Sequence, residues 1–336
     1  MKSSNIGGQA VMEGIMMRHD KIYSVAVRKP DERIEVKVEP YKPVINVPVL
    51  MKIPIIRGFL SFLDSLVIGI RTLMYSATFF EDEEDLKKRE DEKASMTPEQ
   101  LAEAERKEKK EENMLMAGTL LFSLVIAVAV FMVLPYFVTN FLRKVTEQEW
   151  IIALSESIMR VLIFLVYLII ISRMKDIQRT FMYHGAEHKC INCVEHGLEL
   201  NVENVLKSSR LHKRCGTSFL FFVVIVSAVV LMFVHAESHV MRIVIRLCLI
   251  PVIAGISYEI IRLAGRSDSA FVNLLSKPGL ALQKLTTREP DASQAEVAIA
   301  AVEAVFDWRE YLRENFGISP EEKGTRSEAG DSEAHV

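Results

Sequence analysis

The stretch YHGAEHKCINC, from Tyr183 to Cys193, holds two histidines, a glutamate and two cysteines. His184, Glu187 and His188 read H-x-x-E-H. On a helix, positions four apart project from the same side, so His184 and His188 could grip one zinc ion while Glu187 reaches the water bound to it. The ion would lower the pKa of that water to about 7, and Glu187 would take the proton as general base. A second pattern overlaps the first. Cys190-x-x-Cys193 is followed, after 18 intervening residues, by His212-x-x-Cys215, the spacing of a closed structural zinc site. On pattern alone an open catalytic ion, a closed staple and no metal at all remain as alternatives. Ring nitrogens of His184, His188 and His212 converging within about 4–5 Å would fit shared ligation, whereas Cys190 and Cys193 joining His212 and Cys215 would mark the staple.

The elements that must position these residues are strongly apolar. Leu115 to Leu142 carries no charge, Ile151 to Ser172 is interrupted only by Glu156 and Arg160, Thr217 to Val234 is charge-free, and Val240 to Leu263 carries only Arg242, Arg246, Glu259 and Arg262. About 20 apolar helical residues cross the hydrocarbon core of a bilayer, and unpaired backbone in lipid disfavours other open structures. The fold class expected is therefore a multi-pass α-helical membrane protein with four transmembrane helices, over 114–142, 151–172, 217–235 and 240–264. The N-terminal MKSSNIGGQA lacks the apolar core of a signal peptide. The segment 173–216 between the second and third spans carries eight Lys and Arg, against two in Arg143–Trp150 and none in HAESH. The positive-inside rule then places this metal-site loop, and both termini, in the cytoplasm at the plasma membrane. In that reducing compartment Cys190, Cys193 and Cys215 are expected to bind metal rather than form disulfides.

Outside the spans, residues 1–48 read as a small β-rich cytoplasmic unit. KIYSVAVRK and ERIEVKVEP alternate polar and apolar residues around a Pro-Asp turn, and GGQAVMEGIMMR suits an edge strand with tight turns around one lone acid, Glu13. In residues 49–80, Arg57, Asp64 and Arg71 recur every seven residues and so share one helical face. That suits an amphipathic or interfacial helix, or one packed on the bundle with a polar seam; a fifth span stays open. Residues 81–113 read as a charged helical linker. In 265–316, a helical cytoplasmic segment, Ala298, Ala301, Val305, Trp308 and Leu312 mark the apolar face of one docking helix. The tail 317–336 has too little apolar surface to order itself.

Ionisable residues inside the spans are costly unless paired or ligating. Glu259, near the cytoplasmic end of the fourth span, is a site candidate on that ground, with pairing to Arg262 as the plain alternative. Glu156 and Arg160, four apart, are most simply an intrahelical pair.

Taken together, GGQAVMEGIMMR, YHGAEHK, RLHKRCGTSFL, PVIAGISYEIIRLAG and GLALQKLTTREP resemble the YqhQ-like family, bacterial multi-pass membrane proteins described as predicted metal-dependent enzymes. The resemblance runs from Gly7 to about Phe306. It implies Glu13, His184, Glu187, His188, Glu195, His212, Cys215 and Glu259 as pattern residues, and leaves out Cys190 and Cys193, which weakens the staple. The expected site is a divalent metal, zinc by preference, held by His184, His188, His212 and Cys215. Glu187 is the catalytic base, and Glu13, Glu195 and Glu259 are supporting. The expected activity is hydrolysis of a peptide or lipid-linked substrate arriving along the lipid bilayer; no nucleic acid is expected. A non-enzymatic scaffold or assembly factor with a structural metal is the rival, and a transporter is disfavoured because only Pro135 and Pro251 hint at broken helices.

Overall fold

The computed structural model describes residues 2–80, 96–234, 238–265 and 269–319. The first part of the charged linker and the tail beyond residue 319 lie outside these described residues.

The N-terminal unit is a four-stranded antiparallel sheet in the order β1-β2-β3-β4 (Gly7–Val11, Gly14–His19, Ile22–Arg28, Ile34–Pro40). The GGQAVMEGIMMR motif supplies two strands, not one. Val11 pairs with Gly14 across the Met12-Glu13 turn, where Glu13 takes φ 47°. At β2 both faces of the sheet are covered, which is why Gly14 to Met17 are all buried without alternation, whereas β4 is largely exposed. Val11, Met16, Tyr23, Val25 and Val27 pack with Ile68 on one side, while Ile15, Met17 and Ala26 join a larger cluster on the other.

Ile68 belongs to α1 (Ile56–Ala77), which is extended by a 3-10 turn to Phe80. Its seven-residue charge pattern is a seam. Arg57 forms a bidentate pair with Glu259, and Asp64 accepts from the Tyr41 hydroxyl and the Val44 amide.

The next helix, α2 (Pro98–Val128), starts at Thr97, whose hydroxyl and Gln100 form a capping box. A π-helical stretch, Ala129–Val133, joins it to α3 (Leu134–Asn140). Then follow α4 (Glu149–Ile171), α5 (Lys175–Glu195), α6 (Val202–Lys207) and α7 (Gly216–Met232). The C-terminal part comprises α8 (His239–Cys248), α9 (Ile250–Ala264), α10 (Ala270–Thr286), α11 (Ala292–Glu303) and α12 (Trp308–Phe316).

Among the described residues, four helices are long and apolar enough to cross a membrane: Ile56–Phe80, Pro98–Asn140, Glu149–Ile171 and Ile243–Ala264. This set differs from the expected one in that the 56–80 helix meets the criterion and Gly216–Met232, apolar but only 17 residues long, does not. Phe164, Leu168 and Val224 pack α4 on α7, and Val226, Leu231 and Ile253 pack α7 on α9. Inside the bundle the Glu156–Arg160 pair is present, with Arg246 of α8 as a third member. Arg160 and Arg246 each donate to Glu156 at 2.8 Å, and Arg160 Nε also donates to the Phe131 carbonyl, in the π-helical stretch, at 2.9 Å.

Two expectations change here. The 173–216 segment is no loop but mostly helix, because Ala186, Cys190, Ile191 and Val194 recur at helical spacing and bury against the sheet and α11. The single C-terminal docking helix is two: Asp307 caps the Glu310 amide and starts α12 afresh, so Ala298 and Ala301 lie on α11 and Trp308 and Leu312 on α12, all buried in the same cluster.

Candidate metal centre

The centre is built on α5, where the helix is bonded to β1 through Glu187 and the Gly8 amide. His184 and His188 lie one turn apart with ring centroids 4.4 Å from each other. Each ring is held from behind by a backbone carbonyl: His184 Nδ1 donates to Thr286 O at 2.9 Å and His188 Nδ1 to Arg210 O at 2.7 Å. A carbonyl only accepts, so both Nδ1 atoms carry hydrogen and the two Nε2 atoms are left to face inward, the orientation that imposes a tautomer on metal-ligating histidines. Cys215, the N-cap of α7, brings its Sγ to 3.3 Å from His184 Nε2 and accepts from the Thr217 amide at 3.3 Å. The ligand atoms of His184, His188 and Cys215 all lie within 4.8 Å of one another, the one such group among the described residues. A tetrahedral ion with bonds of about 2.0 Å to nitrogen and 2.3 Å to sulfur separates those atoms by about 3.5 Å, so the donor set fits a single zinc-type ion.

The electrostatics point the same way. Burial pushes the Cys215 thiol up, but the imidazoles of His184 and His188 outweigh it and hold the thiol well below its ordinary range. For His184, burial opposes the charged form, yet Cys215 and Glu187 raise its pKa to about 9. Each group thus favours the other's charged form, and a divalent cation there would be a counter-charge for the thiolate. The N-terminus of α7 adds its own preference for negative sulfur.

Glu187 is close to this group without belonging to it. Its Oε2 is 3.9 Å from His184 Nε2, and its Oε1 accepts from the Gly8 amide at 3.1 Å. Gly8 is required there: a Cβ would sit 3.0 Å from Glu187 Cγ and 2.6 Å from the Met16 carbonyl. The N-terminal glycine motif thus fixes the carboxylate of a helix some 180 residues away in sequence.

The remaining expected residues are placed as follows. His212 stands next in the row, 5.8 Å from the His188 centroid, but its Nε2 faces Glu195 Oε2 at 3.4 Å and it is not in the ligand group. Glu195 is a buried hub that also accepts from the Ser4 amide and hydroxyl, both at 2.8 Å, and from Arg214. Burial would raise its pKa, but His212 and Arg214 draw it down to about 2. Glu13 is taken by Arg179 and by the Tyr183 hydroxyl at 3.2 Å, and Glu259 by Arg57 at 2.6–2.7 Å. Cys190 and Cys193 are buried free thiols of the apolar cluster, and the Cys-x-x-Cys staple with His212 and Cys215 is not formed.

Residues with no assigned role in the sequence hold the centre together. Gln283 of α10 accepts from the His212 amide at 2.9 Å and donates to the His212 carbonyl at 2.7 Å and the Ser218 hydroxyl at 2.9 Å. Asn192 donates to the carbonyls of Ser209 and Leu211, and Lys189 to those of Leu206 and Ser208. The chain from 206 to 212, which carries the Arg210 carbonyl, is thereby tied to α5. The buried face of α10 also carries Ser276 and Thr286, so nothing in its residue pattern singles out Gln283.

Residues 53–308 match the family described as a protein of unknown function, DUF1385. The chain is also 35% identical over 298 residues to the uncharacterized protein YqhQ of Bacillus subtilis (strain 168), covering 87% of this chain and 89% of that one. The chain belongs to this YqhQ-like family. No solved structure matches it. The family match takes in α1 through the first residue of α12, and so contains every member of the ligand group together with Gln283.

Proposed function

We propose that this is a metal-dependent membrane enzyme, a hydrolase whose centre lies at the cytoplasmic membrane face. The observation that carries it is the three-ligand group of His184, His188 and Cys215 with both imidazoles oriented by carbonyls and Glu187 standing just outside. Structural zinc sites are closed by four protein ligands, whereas catalytic ones keep a position open. A divalent ion there would supply Lewis acidity and a water acidified to about pKa 7. Glu187, fixed by the Gly8 amide through one oxygen, keeps its other oxygen 3.9 Å from His184 Nε2, where it can take a proton from a water and return it to a leaving group. The substrate class this favours is a peptide or a lipid-linked amide or ester, since the centre sits where α7 begins.

The membrane part of the proposal has α2–α3, α4, α7 and α8–α9 as the four crossings. Leu154, Ile158, Leu162 and Val166 form an exposed apolar stripe along α4, as a lipid-facing surface would. The eight Lys and Arg of 173–216 favour the cytoplasmic side for the centre. The rival, a scaffold stapled by a structural ion, would have Glu187 or another residue as fourth ligand.

Metal analysis of purified protein tests both parts. One equivalent of metal is expected, lost in His184→Ala, His188→Ala and Cys215→Ser and kept in Glu187→Gln. In cobalt-substituted protein the visible spectrum should titrate with pH as a bound water ionises, and this titration should shift in Glu187→Gln. A metal-free wild type sinks the proposal, and a spectrum indifferent to pH, or loss of metal in Glu187→Gln, hands the site to the staple.

A further inference from the structure

The chain between β4 and α1 is a hairpin with α1 itself. The Tyr41 hydroxyl donates to Asp64 Oδ2 at 2.6 Å and the Val44 amide to Asp64 Oδ1 at 2.7 Å, so residue 44 is level with residue 64. From there the chain runs away from the sheet and reverses at Ile55. Ile55 has φ 69° and ψ −55°, and the Ile56 amide donates to the Pro54 carbonyl at 2.7 Å: a three-residue γ-turn of the strained, positive-φ kind. A β-branched residue holds that conformation only where its surroundings over-determine it. Here the surroundings are α9. A Cβ on Gly255 would lie 2.3 Å from the Ile55 carbonyl oxygen, and one on Gly58 would lie 2.8 Å from the Gly255 carbonyl. Gly255 is nine residues before the end of α9 at Ala264, about 14 Å along the helix axis.

The other end of α1 goes to the sheet. Gly69 backs onto Gln9, and the Ser76 hydroxyl accepts from the Met12 amide at 3.0 Å. Phe62, between the two ends, packs on Phe219 in the first turn of α7 with centroids 5.3 Å apart. The chain therefore enters and leaves on the sheet side, although the helix by itself is long enough to cross.

What the tip presents is apolar. Val44, Val47, Val49, Ile53 and Ile56 are exposed, Val49 at 67%. Lys52 is the single charge in 44–56, with a stem long enough to reach headgroups. Some of the backbone donors at the tip are absent or used internally. Pro43, Pro48 and Pro54 have none, and the amides of Leu50, Lys52 and Ile53 donate to Val47, Val49 and Leu50 carbonyls at 3.0–3.2 Å.

We propose that residues 44–63 form a re-entrant hairpin, inserted into one leaflet from the sheet side and leaning on α9, in place of a fifth crossing. It rests on the membrane reading of α4, α7 and α9 and adds to it. The test uses membrane vesicles of known sidedness carrying Lys42→Cys, Val49→Cys or Thr78→Cys in a Cys248→Ala background, with metal content as the control for folding. The expected result is that Lys42→Cys and Thr78→Cys react with a membrane-impermeant maleimide from the same face, while Val49→Cys loses that reaction. An environment-sensitive fluorophore on Val49→Cys should be quenched by lipids bearing a nitroxide near the headgroup. Labelling of the two outer positions from opposite faces overturns the proposal in favour of a crossing. Ready labelling of Val49→Cys from water, without lipid quenching, overturns it in favour of an aqueous loop. If alkaline carbonate strips the protein from the vesicles, the membrane reading itself falls, and the hairpin with it.

Discussion

At the scale of single residues, two neighbouring histidines have been given opposite work. His188 turns Nδ1 to the Arg210 carbonyl and leaves Nε2 for the ligand group, whereas His212 spends Nε2 on Glu195. The difference lies in partners, not in spacing. H-x-x-E-H could be read from the sequence because a helix fixes which of its residues share a side. His212-x-x-Cys215 could not be divided in this way, since an irregular segment has no such period. Glu195 also gives this scale a pH prediction. Its carboxyl is drawn from 4.5 down to about 2, so its contribution to stability is complete above about 4.5 and is lost as pH falls through about 2, where the folded form must also take the proton. Thermal unfolding in detergent should therefore lose stability over that window in the wild type, and Glu195→Gln should flatten the window while lowering stability at neutral pH.

At the scale of elements, the centre depends on three backbones approaching closely. Gly185, between the two ligand-bearing turns of α5, faces the connector after α10: a Cβ there would be 2.0 Å from the Arg288 carbonyl. The same connector is bonded to α5 through the Arg288 amide and the Phe181 carbonyl at 2.8 Å, and just before it Thr286, the last residue of α10, supplies the carbonyl that turns His184. Gly185→Ala should push the connector away, costing roughly 1–3 kcal/mol or more of stability. Metal affinity should fall with it, as measured by competition with a chelator, by about 10–100-fold if the orienting bond to His184 is lost. The hairpin in the first forty residues was readable from alternation and turn residues, and so were the long apolar helices. H-x-x-E-H was legible as a piece of helix, but the full extent Lys175–Glu195 was not: counting Lys and Arg tells which side of a membrane a segment prefers, not how far it is coiled. The break before α12 had a signal in Asp307, an N-cap residue three before Glu310, outweighed by the regular apolar spacing across it.

At the scale of the molecule, one sheet ties the parts together. Its β1–β2 edge bonds α1 at Ser76 and α5 at Glu187, and β3 bonds α11 through Ser24 and the Ala301 carbonyl at 2.6 Å. The resemblance to one family across most of the chain pointed to a site drawn from several distant motifs, yet which members meet is a property of tertiary packing. Arg57 and Arg246, the partners of Glu259 and Glu156, lie 202 and 90 residues from them, beyond the reach of any local pattern.

The widened turn at Ala129–Val133 has a mechanical consequence. It holds one residue more than a regular helix would need, so everything beyond it is rotated by about 100° relative to α2. The stretch itself presents the Phe131 carbonyl to Arg160, and the rotation beyond it presents the Tyr136 ring to Arg246, whose guanidinium carbon is 5.1 Å from the ring centroid. Deleting Val130 would straighten the rod and swing Tyr136 aside, leaving two guanidinium groups with a single carboxylate in an apolar interior. Lower thermal stability with undiminished metal content is the expected phenotype, measured side by side on the purified variant, because the fault would lie at the far end of the bundle from the histidines.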